Sequence, residues 1–410
     1  MDKIRQCQML IDGDWVGASD GASFPSVSPV TGQPWALIPE ATASDVDRAV
    51  RAADRAFTSG PWAGMTPSQR GKCLRKLGDL LAERSEDLGR AETLDTGKML
   101  KETRWQAKYI AEFFHFYAGA ADKLSGEVLP IDKPDLFVFA NREPLGVVAA
   151  VVPWNSQLFL SAVKLGPALA AGNTVVLKAS EHASVPMLDF GRLIAEAGFP
   201  PGVVNIVTGH DEVGRVLTSH PNVARISFTG GPNAARHIIR NSAENFAEVS
   251  LELGGKSPFV VFEDADLESA VNGAVAGIFG ATGQSCVAGS RLIVHDSIAD
   301  DFLARMVATA RAIRIGDPLA DETQMGPLCT EGQLRHIERQ VAQAQQEGGR
   351  LLTGGKQPPG LGGTYYEPTI IDCPSPDLTI LDTELFGPVL SVLRFKTEDE
   401  AIALANHSEH

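Results

Sequence analysis

The feature that most constrains the fold is a regular alternation of short apolar runs and helical segments between residues 146 and 255. The apolar runs are rich in valine and isoleucine and have no polar face. Such strands, alternating with helices, are typical of a parallel sheet that helices cover on both sides. The predicted strands are LGVVAAVVPW, NTVVLKAS, GVVNIVTG, ARISFTGG and EVSLELGG, and the predicted helices cover 157–171, 185–197, 211–219 and 233–245.

The residues before position 126 predict a hairpin followed by helices. The hairpin is IDGDWV, with an Asp-Gly pair at its turn. The first helix lies in SDVDRAVRAADRAF, where Ser44 and Asp47 fit a capping pattern. The second helix has Thr66 as its predicted N-cap, because Pro67 suits the first helical position.

A third helical segment, ETRWQAKYIAEFFHFYAGAADKL, carries aromatic side chains at helical spacing. They are Trp105, Tyr109, Phe113 and Phe116. The spacing predicts that these side chains pack in the core. The alternative is that one or two of them line the entrance of a substrate channel.

Two extended runs separated by proline and aspartate occupy residues 126–145. A ribbon of this kind leaves strand edges without partners. We interpret it as an arm that pairs with another subunit, and the alternative is a surface hairpin.

A second α/β region begins near Lys256. SPFVVFEDAD predicts a strand, residues 267–280 a helix, and SRLIVHDSIADDFLARMVATARAI a strand followed by a helix. Cys286 lies between them in FGATGQSCVAGSR, among small residues. One interpretation is a buried core cysteine. The other is a nucleophile that a substrate must approach closely.

Composition excludes several classes of function. The chain has 410 residues, of which 44% are hydrophobic, and its net charge is −15. An acidic surface repels phosphate backbones, so we expect no nucleic-acid partner. The longest aliphatic run, LGVVAAVV, is too short to span a bilayer, and we expect no membrane association. The five cysteines and nine histidines form no metal-binding motif, which predicts no metal site and a reducing cytoplasm.

Polar residues and glycines at the predicted strand ends suggest a nucleotide site. Gly230 and Gly231 precede a helix, whose free N–H groups attract an anion such as pyrophosphate. A carboxylate such as Glu181, near Lys178, accepts hydrogen bonds from ribose hydroxyls and repels a 2′-phosphate. The alternatives are an ordinary turn between strand and helix, and a solvated charge pair.

Two further residues have side chains that suit acyl chemistry. Asn155, which follows Pro-Trp, is an uncharged N–H donor that could stabilise an oxyanion together with the Cys286 backbone N–H. Glu252, at a strand end that we expect to be partly buried, suits a general base. The alternatives are a turn-capping asparagine and an exposed edge glutamate.

In order and spacing, the motifs PWN, LKASE, FTGG, LELGGKSP, GQSC…GSR and ELFGPV resemble those of the NAD(P)-dependent aldehyde dehydrogenase superfamily of the hydrolytic type. The resemblance runs from the first hairpin to the last residue. It implies a Rossmann-like NAD-binding domain of residues 1–125 and 146–255, an oligomerisation arm of residues 126–145, and an α/β catalytic domain of residues 256–410. It also implies a homodimer or homotetramer, provided that the C-terminus is complete in the native protein.

The resemblance assigns roles residue by residue. Cys286 matches the nucleophile, Asn155 the oxyanion-hole amide and Glu252 the general base. The implied reaction oxidises an aldehyde to an acid with NAD, rather than NADP, through a Cys286 thiohemiacetal and thioester. The implied cofactor residues are Trp154 in the cleft wall, Lys178 and Glu181 at the adenosine ribose, Gly230 and Gly231 near the pyrophosphate, Glu384 at the nicotinamide ribose, and Phe386 beside the ring.

The sequence departs from the family at its end. Relatives continue beyond the position of His410, so we expect a catalytic domain that is incomplete at its C-terminus. This leaves open a non-catalytic, truncated paralogue that binds NAD, although every site residue is present. A CoA-acylating relative is the other alternative, and Glu252 argues against it because that branch does not depend on a base there.

Overall fold

The computed structural model describes residues 4–410. Residues 1–3, which belong to the predicted NAD-binding domain, lie outside the described residues. The chain forms two compact units. The first comprises the residues up to Ser26 together with Pro34–Glu92 and Arg104–Glu252, and the second comprises Val27–Gln33, Thr93–Thr103 and Leu253–His410.

Strands and helices alternate along most of the chain. The strands are β1 Arg5–Gln6, β2 Met9–Ile11, β3 Asp14–Val16, β4 Ser23–Val27, β5 Pro34–Pro39, β6 Glu127–Leu129, β7 Val138–Ala140, β8 Val147–Val151, β9 Thr174–Lys178, β10 Val204–Val207, β11 Val223–Thr229, β12 Glu248–Glu252, β13 Pro258–Val261, β14 Arg291–His295, β15 Arg350–Thr353, β16 Thr369–Asp372 and β17 Val389–Phe395. The α-helices are α1 Ala43–Thr58, α2 Pro67–Glu83, α3 Ser85–Thr96, α4 Leu100–Ala120, α5 Gln157–Ala170, α6 Val185–Glu196, α7 Asp211–Thr218, α8 Pro232–Ser242, α9 Leu267–Phe279, α10 Asp296–Ala312, α11 Glu331–Gln346, α12 Thr379–Asp382 and α13 Glu398–Ala405. Within residues 4–410, no helix combines the length and the apolar character needed to cross a membrane.

The first unit is built on a seven-stranded sheet with the order β12-β11-β8-β9-β10-β2-β3. The five strands from β12 to β10 are parallel, which confirms the predicted parallel α/β architecture. The predicted N-terminal hairpin extends the sheet, because β2 pairs antiparallel with both β10 and β3. Its turn has Asp12 at a φ of 57° and Gly13 at a φ of 84°, as the Asp-Gly pair predicts.

Helices cover both faces of this sheet. Successive residues of β9 point to opposite sides, so Val175 and Leu177 lie in one core cluster and Val176 in the other. The first cluster includes residues of α2, α4, α5 and α6, and the second includes residues of α1, α7 and α8. This two-sided burial explains why the strand sequences are continuously apolar.

The predicted helix starts are confirmed at α2 and wrong at α1. Thr66 caps α2 through the Gln69 backbone N–H. In α1 the N-cap is Thr42, whose hydroxyl accepts from the Asp45 backbone N–H at 3.2 Å. The Asp45 carboxylate accepts in turn from the Thr42 backbone N–H at 3.0 Å. The segment TASDVD contains the capping pattern twice, and the structure uses the earlier copy.

The prediction of four core aromatics on α4 is wrong for three of them. Trp105 is 61% exposed, Phe116 is 68% exposed, and Tyr109 is also exposed. The buried face of α4 instead carries Ala107, Ile110, Ala111 and Phe114, which recur at the spacing of one helical face. The helix is therefore rotated so that its aromatic-rich side is turned away from this core.

The second unit contains a five-stranded sheet with the order β13-β14-β17-β16-β15. The first four strands are parallel and β15 is antiparallel. The predicted helix over 267–280 is α9, and the loop that follows it carries Cys286 into β14. Residues 27–33 and 93–103, which the predicted boundaries assign to the NAD-binding domain, pack in this unit. The roles of the two units as cofactor and catalytic domains stay predictions.

Residues 126–145 form a small sheet of their own. Strands β6 and β7 pair antiparallel, with Val128 opposite Phe139. Every residue of this segment except Val138 is exposed, including the apolar Leu129, Ile131 and Phe137. The pairing of this ribbon with another subunit stays a prediction.

Candidate functional site

A cavity of about 640 Å³ opens at the carboxyl edge of the first unit's sheet. Strands β8, β9, β11 and β12 are parallel, so the polar residues at their carboxyl ends share one edge. Ligands of open α/β sheets bind at this edge. Five predicted cofactor residues line the cavity, namely Trp154, Lys178, Glu181, Gly230 and Gly231.

Lys178 and Glu181 form an ion pair in the wall of this cavity. The Lys178 Nζ donates to Glu181 Oε2 at 3.2 Å, and His182 Nε2 lies 3.6 Å from Glu181 Oε1. Burial acts to raise the pKa of Glu181, but the charges of Lys178 and His182 and the hydrogen bonds outweigh it, and the pKa lies below its usual value. Glu181 therefore presents an ionised carboxylate to the cavity, which suits ribose hydroxyls and disfavours a phosphate.

The two glycines lead directly into helix α8. Gly231 is its N-cap, and no atom lies within 4 Å of a Cβ added there. A Cβ added to Gly230 would lie 2.5 Å from the Phe228 ring, so a larger residue here would require that ring to shift. The first turn of α8 contributes Asn233 and Ala234 to the cavity wall. Its unpaired N–H groups and positive dipole end suit an anionic group such as pyrophosphate.

Asn155 and Glu252 belong to the first unit but do not line this cavity. Asn155 is buried and lies two residues before α5. Glu252 ends β12, and its backbone carbonyl accepts from the Gly230 N–H at 3.0 Å. Glu252 is exposed rather than partly buried, which corrects the prediction. A strand that is interior in sequence pattern is here the edge of its sheet, so its end remains open to solvent.

A buried lysine near Glu252 escaped the sequence analysis. The Lys164 Nζ donates to Thr229 Oγ1 at 2.8 Å and to Ser227 Oγ at 3.2 Å. Burial lowers the pKa of Lys164 to about 8, and the charge of Glu252 acts in the opposite direction. The sequence does contain a sign that Lys164 is buried, because it is the only charged residue in the apolar helix α5, QLFLSAVKLGPALA.

In the second unit, the loop that carries Cys286 is held in an unusual conformation. Ala281 and Thr282 have φ values of 49° and 58°, a left-handed region that non-glycine residues rarely adopt. The Thr282 hydroxyl donates to the Gly326 carbonyl at 3.1 Å, and the Ala281 N–H donates to Glu102 Oε1 at 3.3 Å. Each strained residue costs of the order of 1–3 kcal/mol, and such strain concentrates at functional sites.

Close packing accounts for the small residues before Cys286. A Cβ on Gly283 would lie 2.1 Å from the Gly387 carbonyl oxygen, and Gly283 has a φ of 71°. The buried Gln284 accepts from the Cys329 N–H at 2.8 Å, which anchors the next residue. Cys286 itself is half-buried, and its neighbour Val287 is 80% exposed. The residues directly before Cys286 are thus held by close contacts with other segments of the second unit.

The chain offers two buried cysteines for comparison. Cys329 and Cys373 are core residues, and burial raises the pKa of both thiols, in Cys373 to about 12. Such thiols are inert, because the thiolate is the nucleophile. Cys286 differs from them in its partial exposure, which argues against the interpretation as a core cysteine.

Glu384 packs against the segment that follows β12, and Phe386 lies two residues further along the chain. The Gly255 N–H donates to Glu384 Oε1 at 3.2 Å. Burial raises the pKa of Glu384, while this N–H and the positive charges of His410 and Lys256 act to lower it. Phe386 has a φ of 51°, and its carbonyl accepts from Gln333 Nε2 at 3.1 Å. Within residues 4–410, no group of three or more His, Cys, Asp or Glu side chains is arranged to hold a metal ion.

Comparison with known proteins gives the family. Residues 15–410 match the model of the aldehyde dehydrogenase family. The chain is 55% identical, over 99% of its length and 83% of the relative's, to (Z)-2-((N-methylformamido)methylene)-5-hydroxybutyrolactone dehydrogenase of Acinetobacter baylyi. It is 41% identical to betaine aldehyde dehydrogenase of Bacillus subtilis, over 97% of this chain and 82% of that one.

A solved structure with the same fold is the NAD+ complex of an aldehyde dehydrogenase from Bacillus cereus. It superposes with a TM-score of 0.96 at 39% identity, covering 98% of this chain and 82% of that one. This level of structural agreement extends over both α/β units. The chain therefore belongs to the aldehyde dehydrogenase family.

Proposed function

We propose that this oxidoreductase oxidises an aldehyde to a carboxylic acid with NAD as the hydride acceptor, through a Cys286 thiohemiacetal and a thioester. Family membership supports the overall reaction. The observation that carries the role of Cys286 is that this residue is half-buried on a strained loop, whereas Cys329 and Cys373 are core residues with raised pKa values.

The proposed mechanism gives each of three side chains one task. The Cys286 thiolate attacks the aldehyde carbon, and the oxyanion accepts hydrogen bonds from the Asn155 amide and the Cys286 backbone N–H. When the oxyanion collapses, hydride leaves and a thioester remains on Cys286. Glu252 then removes a proton from water, and the attack of that water releases the acid and restores the thiolate.

The proposed cofactor residues fit a dinucleotide. Lys178 and Glu181 would hold the adenosine ribose, and Gly230, Gly231 and the start of α8 would hold the pyrophosphate. Glu384 would hold the nicotinamide ribose, with Phe386 beside the ring and Trp154 in the cleft wall. NAD, when bound, supplies the hydride acceptor. The ionised Glu181 favours NAD over NADP, because it would repel a 2′-phosphate.

Lys164 supports the assignment of Glu252 as the base. Its ammonium is buried and held by two hydroxyls, and it attracts the Glu252 carboxylate. This attraction would help to orient the Glu252 carboxylate at the end of β12. Because burial lowers the pKa of Lys164 to about 8, the charge is present at neutral pH.

For the substrate, we propose a compact aldehyde with a planar conjugated substituent. The relative of 55% identity is named for a 5-hydroxybutyrolactone with a conjugated N-methylformamido group. A 5-hydroxybutyrolactone is the ring-closed form of a 4-oxo acid, so ring opening produces an aldehyde and a carboxylate. The same ring opening would produce a substrate for this chain.

A row of aromatic side chains supports a planar substituent. The rings of Trp105 and Tyr109 stack at 5.0 Å, Tyr109 meets Phe113 edge-on, and Phe113 meets Phe159 at 5.3 Å. Phe159 lies in the first turn of α5, which begins two residues after Asn155. The row therefore runs from an exposed tryptophan to the start of the helix that follows the proposed oxyanion donor. Planar groups stack favourably on such rings.

Replacing Trp105 tests this substrate preference. In Trp105→Leu we expect KM for cinnamaldehyde to rise about three- to tenfold, because one aromatic contact with the substrate is lost. KM for propanal, which has no planar substituent, should stay unchanged. Phe116→Leu is the matched control, because Phe116 is equally exposed on α4 but lies outside the aromatic row. Equal effects on both aldehydes would remove the argument for planar substrates.

We also propose that the ribbon of residues 126–145 joins subunits into a homo-oligomer and that the protein is cytoplasmic. The exposed apolar side chains of β6 and β7 support the first proposal. The second rests on the odd number and wide spacing of the five cysteines, which form no CxxC pair, since disulfides are rare in reducing compartments.

The decisive experiment measures NADH formation with a panel of aldehydes. We expect turnover in the wild type and none in Cys286→Ser, with NAD binding by calorimetry retained. Cys73→Ser, which changes another half-buried thiol, should keep its activity. Turnover in Cys286→Ser would refute the nucleophile, and NAD binding without turnover in the wild type would favour the non-catalytic alternative. A strict requirement for CoA would favour the acylating alternative.

A further inference from the structure

The Glu181 carboxylate has a different basic side chain beside each of its two oxygens. Lys178 Nζ donates to Oε2 at 3.2 Å, and His182 Nε2 lies 3.6 Å from Oε1. All three side chains line the cavity at the carboxyl edge of the first unit's sheet. A lysine is ordinarily charged at neutral pH, whereas a histidine gains or loses its charge close to neutral pH. The surroundings of this carboxylate therefore depend on the charge of His182.

The turn between β9 and α6 holds His182 in this place. The Ser180 hydroxyl accepts from the His182 backbone N–H at 3.3 Å, and the Ser180 carbonyl accepts from the Ser184 hydroxyl at 2.7 Å. The Ala183 carbonyl accepts from Gln157 Nε2 at 3.2 Å, which ties the turn to α5. These hydrogen bonds fix the backbone on both sides of His182, while its side chain stays 46% exposed and accessible to a ligand in the cavity.

Several charged groups besides Glu181 and Lys178 face His182. His210, the N-cap of α7, is one of them, and its Nδ1 lies 2.6 Å from Glu40 Oε2. The other charged or titratable side chains near the cavity are Asp211, His237 and the Arg215–Glu212 pair. Burial lowers the pKa of His182, Glu181 acts to raise it, and Lys178 and His210 lower it further. The pKa lies below its usual value, so His182 is neutral at pH about 7.5 and becomes charged in acidic solution.

We propose that His182 makes the discrimination between NAD and NADP depend on pH. When His182 is neutral, it leaves the negative charge on the Oε1 side of Glu181 without an opposing charge, and that charge disfavours the 2′-phosphate of NADP. When His182 is protonated, it opposes that charge and offers the 2′-phosphate a cationic partner. NAD has an uncharged hydroxyl at this position, so its binding should respond far less. The inference rests on the role proposed for Glu181 at the adenosine ribose.

Two variants with a fixed charge isolate the contribution of His182. The 2′-phosphate itself takes up a proton at pH about 6, so the pH profile of the wild type alone does not identify the titrating group. Glutamine is neutral at every pH, and lysine is ordinarily charged throughout this range. The wild type should match His182→Gln at pH about 8 and approach His182→Lys at pH about 5.5, because the charge of His182 appears as the pH falls.

The first test measures binding without turnover. The probes are adenosine 5′-phosphate and adenosine 2′,5′-bisphosphate, which differ only in the 2′-phosphate, and calorimetry gives the ratio of their Kd values. At pH about 5.5 we expect His182→Gln to disfavour the bisphosphate about two- to fivefold more than the wild type does, the effect of one partly exposed charge pair. At pH about 8 the two proteins should give the same ratio. His115→Gln is the matched control and should keep the wild-type ratio, because His115 also lies beside a carboxylate, 3.0 Å from Asp79, but outside the cavity.

A second measurement counts protons. Binding of the bisphosphate should favour protonated His182, because the phosphate is negative. Calorimetry at pH about 6, in buffers that differ in ionisation enthalpy, should therefore show that the wild type takes up more protons on binding than His182→Gln does, by up to about one. Equal proton uptake in the two proteins would overturn the role of His182.

The outcomes separate this inference from the role proposed for Glu181. An unchanged ratio of Kd values in Glu181→Gln would refute the role of Glu181. A ratio that shifts towards the bisphosphate in Glu181→Gln, with the same pH profile in the wild type and in His182→Gln, would overturn the role of His182 alone. His182→Asn is a second neutral variant, and it should reproduce the profile of His182→Gln. If His182→Lys matched His182→Gln at pH about 5.5, the charge of residue 182 would have no effect and the proposal would be wrong.

Discussion

Gly254→Ala tests the geometry around Glu384 with a single methyl group. The added Cβ would lie 1.9 Å from Glu384 Oε2 and 2.3 Å from its Cδ. Ordinary contact needs about 3.5 Å, so the carboxylate must move by roughly 1.5 Å. Gly254 has no positive φ, and the backbone itself therefore accepts the alanine without strain. The perturbation acts on one side chain.

The expected magnitude follows from the contacts that this movement breaks. The hydrogen bond from the Gly255 N–H to Glu384 Oε1, at 3.2 Å, is lost. Leaving one such donor unpaired costs about 1–3 kcal/mol, and the loss stays small because the end of a flexible side chain moves rather than the backbone. A misplaced ribose acceptor costs about 1.5–3 kcal/mol of binding, a factor of about 10 to 100 in kcat/KM for NAD.

Steady-state kinetics with varied NAD and thermal unfolding are the two assays. The matched control is Gly277→Ala in α9, where no atom lies within 4 Å of the added Cβ. This control should gain about 0.5–1 kcal/mol of stability, because alanine suits a helix interior better than glycine, and it should keep its kcat/KM for NAD. A wild-type KM for NAD in Gly254→Ala, or an equal loss of activity in Gly277→Ala, would refute the reasoning.

Three further predictions concern cofactor choice, pH and assembly. In Glu181→Gln, the ratio of kcat/KM for NADP to that for NAD should rise about tenfold, because a negative charge at the ribose is removed, whereas Glu196→Gln should keep the wild-type ratio. The free energy of unfolding should increase between pH about 7 and 10 by up to about 1.4 kcal/mol per pH unit. In this range Lys256 binds a proton in the unfolded chain but not in the folded protein. If the free energy of unfolding of Lys256→Met rose as steeply with pH as that of the wild type, this prediction would be wrong. Phe139→Asp should dissociate the oligomer in sedimentation analysis, and Phe246→Asp, another exposed phenylalanine, should not; an unchanged assembly in Phe139→Asp would remove the arm from the interface.

Much of the architecture follows from local patterns. The buried strands β8 to β10 and the helices α5 to α7 lie where the apolar runs and the spacing between them predict, because residues that are adjacent in sequence determine both. Lys178, Gly230 and Glu252 each lie at the carboxyl end of a strand. Because these strands are parallel, the three residues share one edge of the sheet. The cap at Thr66 is equally local, since a proline and a threonine specify it within one turn.

Errors arose where burial depends on distant segments. The helical spacing of the α4 aromatics is real, but which face of the helix meets the core depends on what packs against it, and Phe114 rather than Phe116 is buried. The sequence predicts a partly buried Glu252, with an exposed edge glutamate as the alternative, and Glu252 is exposed because β12 is an edge strand. Lys164 and Lys256 look like ordinary surface lysines, although both are buried and have lowered pKa values.

The sequence by itself determined the succession of strands and helices and the family, and it predicted which thiol reacts, because these are recorded in short runs and motifs. Only the tertiary structure decided which ionisable groups lose water and which donor meets which acceptor. The Gly255 N–H and Glu384 are 129 residues apart, and the Gly283 backbone needs its glycine because of the Gly387 carbonyl. Such contacts form when whole elements pack, and no local pattern carries them.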